Sequence, residues 1–332
     1  MKMIVDSFPV HLYFKQAEPL QIMPPSFPSK RRLLLVDDDP TNLALMNAFF
    51  DPERYETQTA QDGQEALEQI LEHSPDYFSA VILDYHMPRK DGITLLKELK
   101  SSDQYHTIPV VLQTSANRTE DIQRGLEAGA FYYLLKPFKK GQLTSIVDAA
   151  IQSHHHLSIN AQAPLVTHTC ELMEQARFRF QTLEQARYLS SMIALQTPEP
   201  QKISLGLFEL MLNAIEHGNL GIGYEEKSRL ISQERLQSEI GRRLSLPENR
   251  HKSVQLEWQR KNQQLEVSIT DMGKGFDYTP YLDFSITRMT DAHGRGIMLA
   301  NQLCFDRLSF SENGRKVTCV INLNSKASTQ VH

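Results

Sequence analysis

Cysteine is scarce, with three in 332 residues and no two at a metal-ligand spacing. Cys170, Cys304 and Cys319 therefore form neither the staples of a small fold nor a zinc site, and reduced thiols in a cytoplasmic protein are the expectation that remains. Long apolar runs are missing too. No segment reaches the roughly 20 residues that cross a bilayer, and residues 1–30 lack the basic start and apolar centre of a secretory leader. Basic excess is the third absence. Lys and Arg number 35 against 40 Asp and Glu, so the net charge of −5 leaves no electrostatic footprint for nucleic acid or an acidic membrane. What the chain does have is 40% hydrophobic residues, enough for two cores of ordinary domain size.

Residues 1–30 carry several prolines, Pro24 and Pro25 among them, and no sustained periodicity. A loosely held arm is expected there, with a short pairing strand or partner-binding peptide as the alternative. From Arg31 strands and helices alternate, which is the pattern of a parallel sheet with crossovers. The strand Leu33–Val36 ends in Asp37-Asp38-Asp39, and Ala80–Leu83 ends in Asp84. Val110–Gln113 delivers Thr114, and Tyr132–Leu135 delivers Lys136. Doubly wound sheets place ligands at these carboxyl ends of their strands. Acids gathered on one rim repel one another unless a cation sits among them, so a magnesium site is the physical expectation. The plainer alternative is that Asp37 to Asp39 cap a helix and Lys136 makes a structural ion pair.

This set of residues resembles the response-regulator receiver domain, over residues 31–152. The resemblance implies a flavodoxin-like doubly wound sheet with Asp84 as phosphoacceptor and with Asp37, Asp38 and Asp84 around Mg2+. It further implies that Thr114 and Lys136 hold the phosphoryl oxygens and that Tyr133 is the switch aromatic. The phosphodonor would be a cognate histidine kinase or a phosphotransfer protein. Beyond the rim, Leu143, Ile146, Val147 and Ala150 share a helical face from Lys139 to about Ile151. A linker at 153–170 is expected to follow, with His154, His155 and His156 in a solvated turn.

In the second half, Glu209, Asn213 and His217 recur every four residues on a helix whose apolar face is Ile203, Leu207, Leu210 and Ala214. A carboxylate beside an amide suits a magnesium-nucleotide site, where the cation wants oxygen ligands and a hydroxyl needs a base. A chance polar stripe on an amphipathic helix is the alternative. Asp271-Met-Gly273-Lys-Gly275 follows an alternating strand, so a carboxylate is succeeded by backbone that can approach a ligand closely. His293-Gly294-Arg295-Gly296-Ile297 opens an apolar helix whose amides could meet phosphates.

The ordered set resembles the Bergerat-type ATP-binding fold of gyrase-type ATPases, Hsp90 chaperones, histidine kinases and MutL proteins, and among these most the anti-sigma-factor serine kinases. The resemblance implies an α/β sandwich over 171–325 in a two-domain α/β chain, with 326–332 as a tail. Glu209 would activate a serine hydroxyl on a protein substrate, Asn213 would bind Mg2+, and Asp271 would receive the adenine amino group of ATP. Gly273 and Gly275 would admit the base, while Gly294, Gly296 and Ile297 would contact phosphates and Arg295 the terminal one. His217 either bonds phosphate or stabilises its helix end.

The segment 220–252, with Leu236, Ile240 and Leu244 in a helical stripe, is additional to short kinases of this type. It either packs on its own domain or touches the protein substrate or the receiver. The implied function is a serine/threonine kinase acting on an anti-sigma-factor antagonist, with a sigma factor as a further partner and a homodimer as the assembly common to both families. A nucleotide-gated module that sequesters a partner without transfer is the alternative. A hybrid histidine kinase is disfavoured, since His168 lacks the helix pattern of a phosphoacceptor histidine.

Overall fold

Leu33, Leu34, Leu35 and Val36 are all fully buried, and a strand covered on both faces belongs in the interior of a parallel sheet. In a computed structural model, which describes residues 30–115, 119–161, 164–233, 235–282 and 296–324, these residues form β1 (Arg31–Val36). With β2 (Tyr55–Ala60), β3 (Ala80–Asp84), β4 (Val110–Thr114) and β5 (Tyr132–Leu135) it makes a five-stranded parallel sheet ordered β2-β1-β3-β4-β5. The order reverses between β1 and β3, so Asp37 and Asp84 flank the switch point where such sheets bind ligands. Register sets Asp84 beside Gln113 and Thr114 beside Leu135. Nearly all of the arm at 1–30, the tail at 326–332, and Gly294 and Arg295 lie outside the described residues.

Helix α1 (Pro40–Phe49) begins where Asp39 accepts the Thr41 N–H, with Pro40 in the first turn where its missing donor costs nothing. Helices α2 (Gly63–Leu71), α3 (Gly92–Ser101) and α4 (Thr119–Glu127) complete the crossovers. The next helix corrects the expectation of a solvated turn at His154–His156. Helix α5 runs 22 residues, Lys140–Ala161, straight through the triplet. The reason is its apolar stripe: Leu143 and Ala150 enter the receiver-side core, and Leu157, seven residues on, enters the core of the second half. Burial holds all three imidazoles below their ordinary value, His156 at about 4. The His156 ring stands edge-on to Tyr188, with centroids 4.6 Å apart. A further helix, α6 (Pro164–Glu171), occupies most of the remaining expected linker.

The second half is an antiparallel sheet of β6 (Gln175–Phe180), β7 (Val254–Lys261), β8 (Gln264–Thr270), β9 (Arg307–Ser311) and β10 (Lys316–Asn322), ordered β6-β7-β8-β10-β9. Val254, Leu256 and Trp258 alternate inward along β7, as a half-covered sheet requires. Helix α7 (Leu183–Ala194), started by a capping box of Thr182 and Gln185, and helix α8 (Pro200–Asn213) share that core. Within the insertion, α9 (Tyr224–Ser232) and α10 (Leu236–Ser245) send Leu230 and Ile240 into the same core. The insertion therefore packs on its own domain, and α9 also meets α5. In return Met298 and Leu299 join the receiver-side core. The two halves are thus in direct contact. No described helix is long and apolar enough to cross a membrane.

Candidate functional site

Two sites are built from the ends of these elements. On the first rim, Lys136 follows β5 and lies between two acids: its Nζ is 2.7 Å from Asp37 Oδ2 and also bonds Asp84 Oδ1. Asp37 is fully buried and accepts the Asn42 amide at 3.0 Å and Gln113 Nε2 at 3.2 Å. Asp84 Oδ2 takes the His86 N–H at 3.1 Å. Burial raises the Asp84 carboxyl above its usual range, the Lys136 ammonium opposes this, and the nearby Asp37 charge adds to the rise. Burial also works to lower Lys136, but its bonds to Asp37 and Asp84 outweigh that and raise it. Thr114 is buried at the end of β4 and its side chain bonds the buried Tyr133 hydroxyl, whereas Ser115 is exposed just beyond.

Asp38 stands exposed on the same rim. Among the described residues no three acids, histidines or cysteines converge as a ready-made metal cluster. Instead, an ammonium joins Asp37 to Asp84. The capping alternative holds for Asp39 alone, since Asp37 bonds across to Gln113 and Lys136. Three carboxylates at one strand-end rim are nevertheless the oxygen-only donor set that a hard divalent cation takes.

The second site lies on α8. Helix α8 continues without a break into a π-helical turn, Ala214–Asn219, a local widening frequent at functional sites. Two cavities open along this helix. The narrower, about 60 Å³, is lined by Asp271, Gly275 and Asn213; the larger, about 430 Å³, by Asn213, Glu209 and Gly296. Asn213, His217, Phe276 and Ile297 border both. The two cavities thus share a border at Asn213, with Asp271 lining one and Glu209 the other.

Local structure fixes each member. Asp271 Oδ1 accepts the Gly273 N–H at 2.7 Å, and Asn219 Oδ1 holds the Met272 N–H at 2.8 Å, so the loop is pinned to the helix end. Burial raises the Asp271 carboxyl, against the Gly273 N–H and Arg315. Gly275 has φ of +78°, the left-handed region, and a side chain there would strike the Asn313 carbonyl. His217 Nδ1 bonds the Ile222 carbonyl, which places it on its helix end, and burial keeps its ring below the usual value. Gly296 lies against the Glu209 carboxylate.

Comparison with known proteins finds a family match in each half, the second covering Asp271 but not α8. Residues 33–148 match the family model described as response regulator receiver domain, and residues 243–321 match that of the histidine kinase-like ATPase domain. The chain joins a receiver domain to a histidine kinase-like ATPase domain. It is 37% identical over 121 residues to the transcriptional regulatory protein PrrA of Mycobacterium bovis, covering 36% of this chain and 50% of that protein. It is 31% identical over 208 residues to the transcriptional regulatory protein ZraR of Escherichia coli, covering 62% and 42%. The chain therefore spans about half the length of these curated relatives or less. A solved structure of a putative response regulator from Chloroflexus aurantiacus is 33% identical and covers 37% of this chain and 98% of that one, with a TM-score of 0.35.

The receiver and the ATPase domain meet at the larger cavity. Gln142, Ser145, Ile146 and Ala149 of α5 form the wall that faces the α8 residues. Four participants carry no signal in the sequence. Gln113 is a fully buried strand residue bonded to Asp37, Asn219 clamps the Asp271 loop, and Arg187 stacks on Phe208 with its guanidinium 4.1 Å from the ring centroid. Burial lowers Arg187 to about 10, and the Glu209 charge opposes that fall. The fourth, Lys227, comes from the insertion.

Packing at the cleft makes one substitution informative. A Cβ on Gly218 would overlap the Asp271 carboxyl, and overpacking of this kind costs about 1–3 kcal/mol. Gly218→Ala is expected to weaken ATP binding by about tenfold or more, measured by titration calorimetry, with receiver phosphorylation unchanged. An unaltered affinity would separate Asp271 from nucleotide recognition.

Proposed function

We propose that this chain is a two-component response regulator in which phosphorylation of Asp84 controls a protein serine/threonine kinase of the anti-sigma-factor type. Its substrate is an anti-sigma-factor antagonist in a partner-switching pathway in the cytoplasm, and a sigma factor is a second partner. The observation that carries the reading is the shared cavity: helix α5, which begins four residues after Lys136, walls the space onto which Glu209 and Asn213 open. A change at the phosphorylation rim therefore has a rigid element through which to reach the nucleotide site.

At the rim, an Asp84 carboxylate oxygen attacks the phosphorus of a partner's phosphohistidine and the P–N bond breaks. Lys136 then holds the phosphoryl oxygens. Asp37, Asp38 and Asp84 would hold Mg2+, which neutralises charge that builds on the phosphoryl group. In the ATPase domain Asp271 receives the adenine amino group and Asn213 would hold a second Mg2+. Glu209 removes the proton from the substrate serine, whose oxygen attacks the γ-phosphorus as the bond to the bridging oxygen of ADP breaks.

The test is incubation of the whole protein with ATP labelled on the γ-phosphate and a candidate antagonist, with and without a small phosphodonor for Asp84. Label is expected on a serine of the antagonist, at a rate that changes when Asp84 is phosphorylated. ATP-dependent capture of the antagonist without label would instead establish a sequestering module. Absence of both would end the partner-switching reading.

A further inference from the structure

The insertion carries a basic side chain into the nucleotide cleft. Lys227 on α9 is 7% exposed and lines the same cavity as Glu209 and Asn213. Its Nζ stands 2.6 Å from Glu216 Oε2. Glu216, 1% exposed, lies in the π turn that continues the helix of Asn213 and lines the same cavity. Lys227 is therefore tethered in the cavity that the amide proposed to hold the metal also lines.

Glu216 Oε2 has no partner besides this ammonium among the described residues. An ammonium has three donors to give. The formal charges of Arg187, Lys227, Glu209 and Glu216 around this cavity cancel, whereas a nucleoside triphosphate brings negative charge that one divalent ion only partly offsets. Arg187 is stacked on Phe208 and faces Glu209. Lys227 is the other cation of this cavity, and Glu216 neutralises it while no phosphate is near.

We propose that Lys227 is a phosphate-binding residue of the ATPase domain, which turns from Glu216 to the terminal phosphate of a nucleoside triphosphate and so distinguishes ATP from ADP. The inference rests on the nucleotide reading of the cleft. It gives the insertion a part in ligand choice besides its packing.

The experiment measures ATP and ADP dissociation constants, with magnesium present, for the full chain and for Lys227→Met, Lys227→Arg and the double variant Lys227→Met/Glu216→Gln. The double variant leaves no unpaired buried charge, so it keeps the test open if the single Met variant does not fold. A charge-assisted bond of this kind is expected to cost ATP about tenfold to a hundredfold in affinity when removed. ADP affinity should stay near the wild-type value, and Lys227→Arg should retain part of the preference for ATP. An unchanged ATP-to-ADP ratio in the double variant, or an equal fall for both nucleotides, would show a structural pair and overturn the proposal. Wild-type protein that bound neither nucleotide would remove the nucleotide reading itself, which is a distinguishable failure.

Discussion

Glu209→Gln is expected to abolish phosphoryl transfer to a serine while ATP remains bound. The amide keeps the shape of the carboxylate, so the contact with Gly296 survives and the cleft stays formed. What disappears is the proposed base. General-base catalysis contributes about a hundredfold to ten-thousandfold. Glu216 lines the same cavity but sits in the π turn beyond Asn213, and Asp271, the proposed adenine partner, has its Oδ1 bonded to Gly273. Initial rates with labelled ATP should therefore fall to background, while titration calorimetry should give nearly the wild-type affinity for ATP. Loss of binding along with rate would make Glu209 a ligand group. A retained rate would point to a base elsewhere.

The receiver rim was readable in the sequence because its parts are local: each functional side chain directly follows a short apolar strand. Asp37 comes after Val36, Asp84 after Leu83, Thr114 after Gln113 and Lys136 after Leu135, and the parallel sheet turns these separate endings into one rim. The stripe of Glu209, Asn213 and His217 was readable for a similar reason, a regular helical spacing. That spacing fails just past Asn213, where the helix widens into the π turn and His217 bonds the Ile222 carbonyl. Arg187, Lys227 and Gln113 could not be found this way, since each reaches its site from an element distant in sequence and follows no period. The histidine triplet misled for a different physical reason. Three polar residues in a row read as solvated, but Leu157 immediately after them anchors α5 in the second core. The helix is thereby carried across what composition marks as a linker, and the receiver becomes a wall of the nucleotide cavity.

Asp84→Asn should end phosphorylation of the receiver without unfolding it. The amide has no anionic oxygen to attack phosphorus, so neither a phosphohistidine nor a small acyl phosphate should leave a phosphoryl group on the protein, as read by intact mass or by phosphate-affinity electrophoresis. The fold should tolerate the change because of how the acids are arranged. Lys136 retains Asp37 at 2.7 Å, so no buried charge is left without a partner. Neutralising Asp84 also removes a carboxylate whose pKa burial raises and whose neighbour Asp37 repels it. The melting temperature should accordingly match or exceed that of the wild type, most clearly above the ordinary carboxylate range, where the native Asp84 must be charged and its burial cost is fully present. Acidification relieves that cost in the native protein, so the difference between the two should shrink as pH falls toward the pKa of an unfolded aspartate. Since α5 begins four residues after Lys136, the variant should also hold the proposed serine transfer at one rate whatever the phosphodonor. A rate that still responded to the donor in Asp84→Asn would break the link between the rim and the cavity, even if phosphorylation itself had been lost.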